Sequence, residues 1–236
     1  KAQYEAFPYP RVSPDADGGE IPREYHWLRM EQLNMYNYGG RRESWDGFQV
    51  LVAGCGTGGA VVGWAHTLKP YRGAFVTALD LSEASVSTTR ERLRTFGCEE
   101  GKDFALHTMS LLDVADIAGT STKYDLVVST GVLHHLASPL AGLQALDSVL
   151  ADDGALAIMV YGKVGRAGIY ELQRVFKDEL REGGEDATDM LLKIKALDEA
   201  LPPSNHFKRT LYDQPLATLP DIELVDLFLH PRDRAF

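Results

Sequence analysis

The residues with the most chemical promise lie in VLVAGCGTGG, Val50 to Gly59, where an apolar run passes directly into Gly54-Cys55-Gly56-Thr57-Gly58-Gly59. Gly54, Gly56 and Gly59 satisfy the spacing G-x-G-x-x-G, and GAVVGWAHTL, which follows, reads as a helix. Glycine lets the backbone turn sharply and approach a ligand with no Cβ between them, while a helix N-terminus offers unpaired N–H groups. Asp80 ends a second apolar run, AFVTALD, 22 residues after Gly58. A carboxylate in that place can accept both hydroxyls of a ribose. Loop and acid together point to a nucleoside-containing ligand rather than to a turn kept for packing. They leave a dinucleotide and S-adenosylmethionine both open.

Such residues work only if a frame brings them to one edge. From Phe48 onward the chain repeats a short apolar run, a turn and an amphipathic stretch. FQVLVA (48–53), AFVTAL (74–79), FALHTMS (104–110), YDLVVST (124–130) and ALAIMVY (155–161) predict five strands. Ser82 caps a predicted helix that runs to Gly97, and Ser138-Pro139 opens another that ends near Ala151. Asp152-Asp153-Gly154 then turns the chain into the fifth strand. Strands alternating with helices predict a parallel sheet covered on both faces.

The flanks differ. Four prolines in the first 22 residues argue for a segment that wraps over something, and apolar positions 25, 28, 33 and 36 have a helical spacing that Gly39-Gly40 ends. Beyond residue 162 the pattern predicts helices over 169–181 and 187–201, while Glu223 to His230 fits either a strand or a helix. The expected organisation is an amino-terminal helical lid (1–45), a core (46–162) and a helical carboxy-terminal addition (163–236). With one weak strand candidate after Tyr161, the end near Phe236 reads as a cut boundary or the start of an added domain.

YDLVVSTGVLHHLASP, Tyr124 to Pro139, narrows the ligand. With VLVAGCGTGG, the strand ending in Leu79-Asp80, and SVLADDGALAIMVYG, it resembles the class I S-adenosylmethionine-dependent methyltransferases over roughly residues 46–162. The resemblance implies an α/β fold with a doubly wound, mostly parallel Rossmann-like sheet, and S-adenosyl-L-methionine as cofactor. It sets Gly54, Cys55, Gly56, Thr57 and Gly58 against the amino-acid half of the cofactor, Asp80 on the ribose and Leu81 beside the adenine. Ser110 and Leu111 stand where a third-strand acid and its neighbour usually flank the adenine; Thr130, Gly131 and Val132 would line the floor near the methyl group. Two departures are visible: Ser110 for an acid, and Val52 where many members carry the acid that meets the cofactor ammonium. A loop carbonyl or the Thr130 region must then take that role.

The lead-in YEAFPYPRV, with YHWL and LNMYNYGGR, is similar to a bacterial branch often fused to tetratricopeptide repeats or a regulatory domain, protein-lysine methyltransferases among them. Its aromatics, Tyr9 and Tyr38 above all, are expected over the cofactor near the methyl group, where aromatic faces attract a sulfonium. His135, next to His134, is a candidate base for the incoming nucleophile, although both also suit a role in shaping the loop. Methyl transfer by in-line displacement needs alignment more than acid–base help, in keeping with the lack of a triad or metal pattern in the sequence. An NAD(P)-dependent oxidoreductase would use the same loop but leaves YDLVVSTGVLHHL unexplained. A non-catalytic binding module finds support only in Val52.

Formal charge is −10 and the pI near 5.2. Arg90, Arg92 and Arg94 are interleaved with Glu91 and Leu93, so no basic face speaks for nucleic acid. A protein or small-molecule acceptor is the better expectation, with homo-oligomerisation open. Cys55 and Cys98 form no metal or disulfide pattern, which suggests a reducing cytoplasmic setting. No apolar run approaches the ~18 residues of a membrane span.

Overall fold

The structure, a computed structural model, describes residues 5, 9–10, 12, 29–118, 123–183, 187–210, 215–230, 233–234 and 236. Two compact units divide at Met159 and Val160. The first holds a five-stranded sheet of β1 (Gln49–Ala53), β2 (Phe75–Asp80), β3 (Phe104–Thr108), β4 (Tyr124–Thr130) and β5 (Leu150–Met159). Its order is β3-β2-β1-β4-β5 and every pair is parallel. The chain winds outward from β1 through β2 to β3, then returns to the far side of β1 with β4. The carboxyl ends of β1 and β4 therefore flank a topological switch point, the crevice where ligands bind in sheets of this kind.

The central strands are buried almost throughout, which is why they read as unbroken apolar runs; β3, at one edge, alternates. The covering helices are α1 (Met30–Asn37), α2 (Gly59–Leu68), α3 (Glu83–Thr95), the single turn α4 (Ala115–Ala118) and α5 (Pro139–Ser148). Ser82 Oγ accepts the Ser85 N–H at 3.2 Å and Ser138 Oγ accepts the Ala141 N–H at 3.2 Å, so both expected caps form. α5 stops at Ser148, three residues before the expected Ala151. The next expectation needs a larger correction. β5 begins at Leu150 and takes in Asp152-Asp153-Gly154, the triplet read as a turn. Tyr124 pairs with Leu150 but Leu126 with Ala155, so the triplet is extra length bulged out of an edge strand.

Residues 29–45, expected within the lid, belong to the body of the first unit. α1 turns Leu33 into the sheet's apolar cluster and leaves Tyr36 exposed, against the expected stripe. Arg42 lies 4.9, 5.0 and 4.5 Å from the ring centres of Tyr38, Trp45 and Phe48. It also reaches Asp125 at 3.9 Å, whose carboxylate accepts the Gln49 N–H at 2.7 Å. This cluster fastens the amino edge of the sheet.

The second unit contains α6 (Ala167–Gly183), α7 (Ala187–Ala200), α8 (His206–Thr210) and α9 (Asp221–Phe228) around an apolar cluster of its own. The stretch that fitted strand or helix is the helix α9, packing Leu224, Leu227 and Phe228 inward. No strand occurs among the described residues of this unit.

Candidate functional site

Three strand ends meet at the switch point. β1 delivers the glycine loop, β2 delivers Asp80, and β4 delivers Thr130, Gly131 and Val132. The Gly54 and Cys55 N–H groups both donate to the Leu79 carbonyl, at 2.8 and 3.0 Å. Ser129 Oγ, on β4, donates to the Ala53 carbonyl at 3.1 Å. Gly54 has a φ of +82°, and a Cβ there would lie 2.3 Å from Val132 Cγ2. The loop is thus locked to both neighbouring strands, and the first glycine is required by that contact as well as by its turn.

Asp80 is integrated into the same lock. Its Oδ2 accepts the Gly56 N–H and its Oδ1 the Ser82 N–H, each at 2.9 Å. A carboxylate has about four acceptor directions, so ribose hydroxyls can still be received. Burial pushes the Asp80 carboxyl above its ordinary value; the N–H groups of Ser82 and Gly56 oppose this and the Glu5 carboxylate adds to it. Burial, and then Asp80, likewise drive the Cys55 thiol far up, so Cys55 is a packing residue with its Sγ 3.6 Å from the Gly56 carbonyl.

Helix α3 grips the loop from the other side. Thr89 Oγ1 donates to the Gly56 carbonyl at 3.0 Å, and the Arg92 guanidinium donates to the Thr57 carbonyl at 2.6 Å. Arg92 is 1% exposed, although the sequence placed it among interleaved surface charges. In the structure it shares one buried stripe of α3 with Val86, Thr89 and Leu93. Glu5 is a second residue missed. Its carboxylate accepts the Glu83 and Ala84 N–H groups at 3.0 and 3.3 Å, at the N-terminus of α3 and 78 and 79 positions away in sequence.

The remaining expected residues fall into two groups. Leu81, beside Asp80, is exposed as an adenine wall should be. Ser110 Oγ accepts the Leu112 N–H at 3.1 Å, so the residue standing in for an acid spends its side chain on a local turn. Leu111 is buried, and a Cβ on Gly142 of α5 would touch it, while Leu112 takes the exposed place expected of Leu111. Thr57 is 1% exposed and turned toward the amino-terminal segment instead of the crevice. The Tyr9 carbonyl receives the Thr57 N–H at 3.3 Å, which sets the main chain of Tyr9 on the loop. His134 and His135 follow β4 in a helical turn, Leu133–His135, with rings 4.1 Å apart. Tyr38 is the misplaced expectation. Its hydroxyl donates to the Asp125 carbonyl at 3.4 Å, near the start of β4, and five residues of strand, about 16 Å, separate it from the carboxyl end of β4. Aromatic character alone could not tell which edge of the sheet it covers. Tyr4, Phe7, His26 and Trp27, also expected in the cover, lie outside the described residues.

The donors fit the cofactor that the sequence led us to expect. Thr130 Oγ1 is buried without a hydrogen-bond partner, an unpaired acceptor at the foot of the crevice where Val52 supplies none. A buried hydroxyl left unpaired costs about 1–3 kcal/mol, so a ligand or water is its natural partner.

Comparison with known proteins agrees with this geometry. Residues 51–156 match a family model described as a methyltransferase domain. An uncharacterized protein of Synechococcus sp. is 33% identical over 234 residues, 98% of this chain and 53% of its own length. The chain thus spans about half of that curated relative. Among solved structures, PKMT2 from Rickettsia typhi in complex with AdoHcy aligns with a TM-score of 0.57 at 17% identity, over 80% of this chain and 35% of its own. A second structure of the same protein gives 0.57 at 18%.

Proposed function

We propose that this chain, whose residues 51–156 match a methyltransferase-domain model, binds S-adenosyl-L-methionine at the switch point and transfers its methyl group to a protein or small-molecule acceptor. The observation that carries this reading is the convergence of Gly54, Asp80 and Thr130 from three adjacent strand ends. The AdoHcy held by the Rickettsia protein supports the choice of nucleoside.

The bound cofactor supplies an electrophilic methyl carbon on a sulfonium. Asp80 accepts the ribose hydroxyls, Leu81 and Leu112 offer apolar surface to the adenine, and Thr130 Oγ1 accepts from the ammonium. Val132 and Gly131 shape the floor, and His135 takes a proton from an acceptor that arrives protonated. Alignment of nucleophile, carbon and sulfur, with water excluded, supplies most of the acceleration.

Calorimetry with S-adenosylhomocysteine and, separately, NADH tests the reading. Binding of the first and not the second is expected, followed by transfer of labelled methyl to a component of a fractionated extract. Binding of NADH alone would turn the assignment to hydride chemistry. Tight S-adenosylhomocysteine binding with no transfer to any fraction would favour a binding module.

A further inference from the structure

Thr57 spends every polar group it has. Its carbonyl accepts from Arg92 at 2.6 Å, its N–H donates to the Tyr9 carbonyl at 3.3 Å, and its Oγ1 donates to the Pro10 carbonyl at 2.8 Å. The first bond comes from a buried cation on α3 and is charge-assisted, hence the strongest of the three. The other two go to a segment 47 and 48 positions earlier in the chain. That segment comes so near the loop that a Cβ on Gly56 would stand 2.6 Å from the Tyr9 carbonyl oxygen. Gly56, read from sequence as making room for a ligand, also makes room for the protein's own main chain.

We propose that Thr57 is a positioning residue: it relays the hold of α3 on the glycine loop to the amino-terminal segment, fixing Tyr9 and Pro10 on the loop beside the nucleoside side of the site. This rests on the cofactor reading above. Glu5 is the second anchor, accepting from Glu83 and Ala84 in the first turn of α3, where main-chain N–H groups lack helical partners. Asp80 lies between the two anchors, bonded to Gly56 on one side and to Ser82 on the other. A ribose held by Asp80 is therefore flanked by the segment, and fixing one favours the other.

The hydroxyl is what separates this role from mere packing. Valine has the shape of threonine and lacks the donor to Pro10; serine keeps the donor and loses a methyl. In Thr57→Val, amide exchange at Tyr9 and Val12 should accelerate about tenfold and the S-adenosylhomocysteine Kd rise about fivefold, the scale of one lost net hydrogen bond. Thr57→Ser should return both to within about twofold of the unaltered protein. Glu5→Gln, which leaves the three Thr57 bonds in place, should accelerate exchange at the same residues. Unaltered exchange and affinity in Thr57→Val would overturn the proposal, as would a serine variant impaired as badly as the valine one. Should the unaltered protein fail to bind S-adenosylhomocysteine, the cofactor reading falls, while the exchange arm still decides for or against the anchor.

Discussion

Asp80 combines two roles that usually belong to different residues, because the carboxylate that would hold a ribose also ties β2 to the glycine loop through Gly56. Its raised pKa gives the sign of its pH dependence. Without ligand, the folded state holds this proton more tightly than the unfolded chain, so the contribution to stability declines as pH rises from about 3.9 through the folded value. A diol that donates to the carboxylate favours ionisation, so affinity is full above that folded pKa and is lost as pH falls through it. S-adenosylhomocysteine titrated across acidic buffers should show this loss, and Asp80→Asn should bind at least about tenfold more weakly with a flatter profile. Gly54→Ala should cost about 2–4 kcal/mol in chemical denaturation, since the new Cβ meets Val132 at a φ of +82°. Adding Val132→Ala should recover the steric part and leave the backbone strain. Both residues were legible in the sequence because their types recur at a known spacing. Arg92 was not: a charge on an amphipathic helix resembles a solvated one until its partner, a main-chain carbonyl, is located.

Elements were easiest to read where burial is complete. β1, β2 and β4 are apolar on both faces, so their runs stand out without reference to period. The helix starts at Ser82 and Ser138 were equally plain, since an N-cap oxygen satisfies a donor that nothing else nearby can. Ser138→Ala should lower stability by about 1 kcal/mol, read as a shift in thermal midpoint, with little change in cofactor affinity. Edges were harder. Asp152-Asp153-Gly154 has turn composition, but an edge strand paired on one side only can carry extra residues as a bulge, which local composition does not distinguish from a turn. In α9 five apolar residues within Ile222 to Phe228 fit both periods, and packing against Phe176 and Phe207 decided the matter.

Across the whole molecule, two apolar clusters stabilise two separate stretches of chain. Phe228 is fully buried in the second, with ring centres 5.7 Å from Phe176 and 5.5 Å from Phe207. Phe228→Ala should cost about 3–5 kcal/mol there. Hydrogen exchange would register it as lost protection in α6 and α9, with β1, β2 and β4 still slow. Division of labour is as clear inside the first unit. The Arg42 cluster with Tyr38, Trp45, Phe48 and Asp125 secures one edge of the sheet, and the residues proposed to bind and react stand at the other. Because strength and reactivity reside at opposite ends of the same strands, the exposed positions that follow β4, Ala137 and Leu140, are free to diverge at little cost in folding. Acceptor preference in such a sheet can drift through a lineage, or be redirected by a mutant library, without crossing a valley of unfolded intermediates.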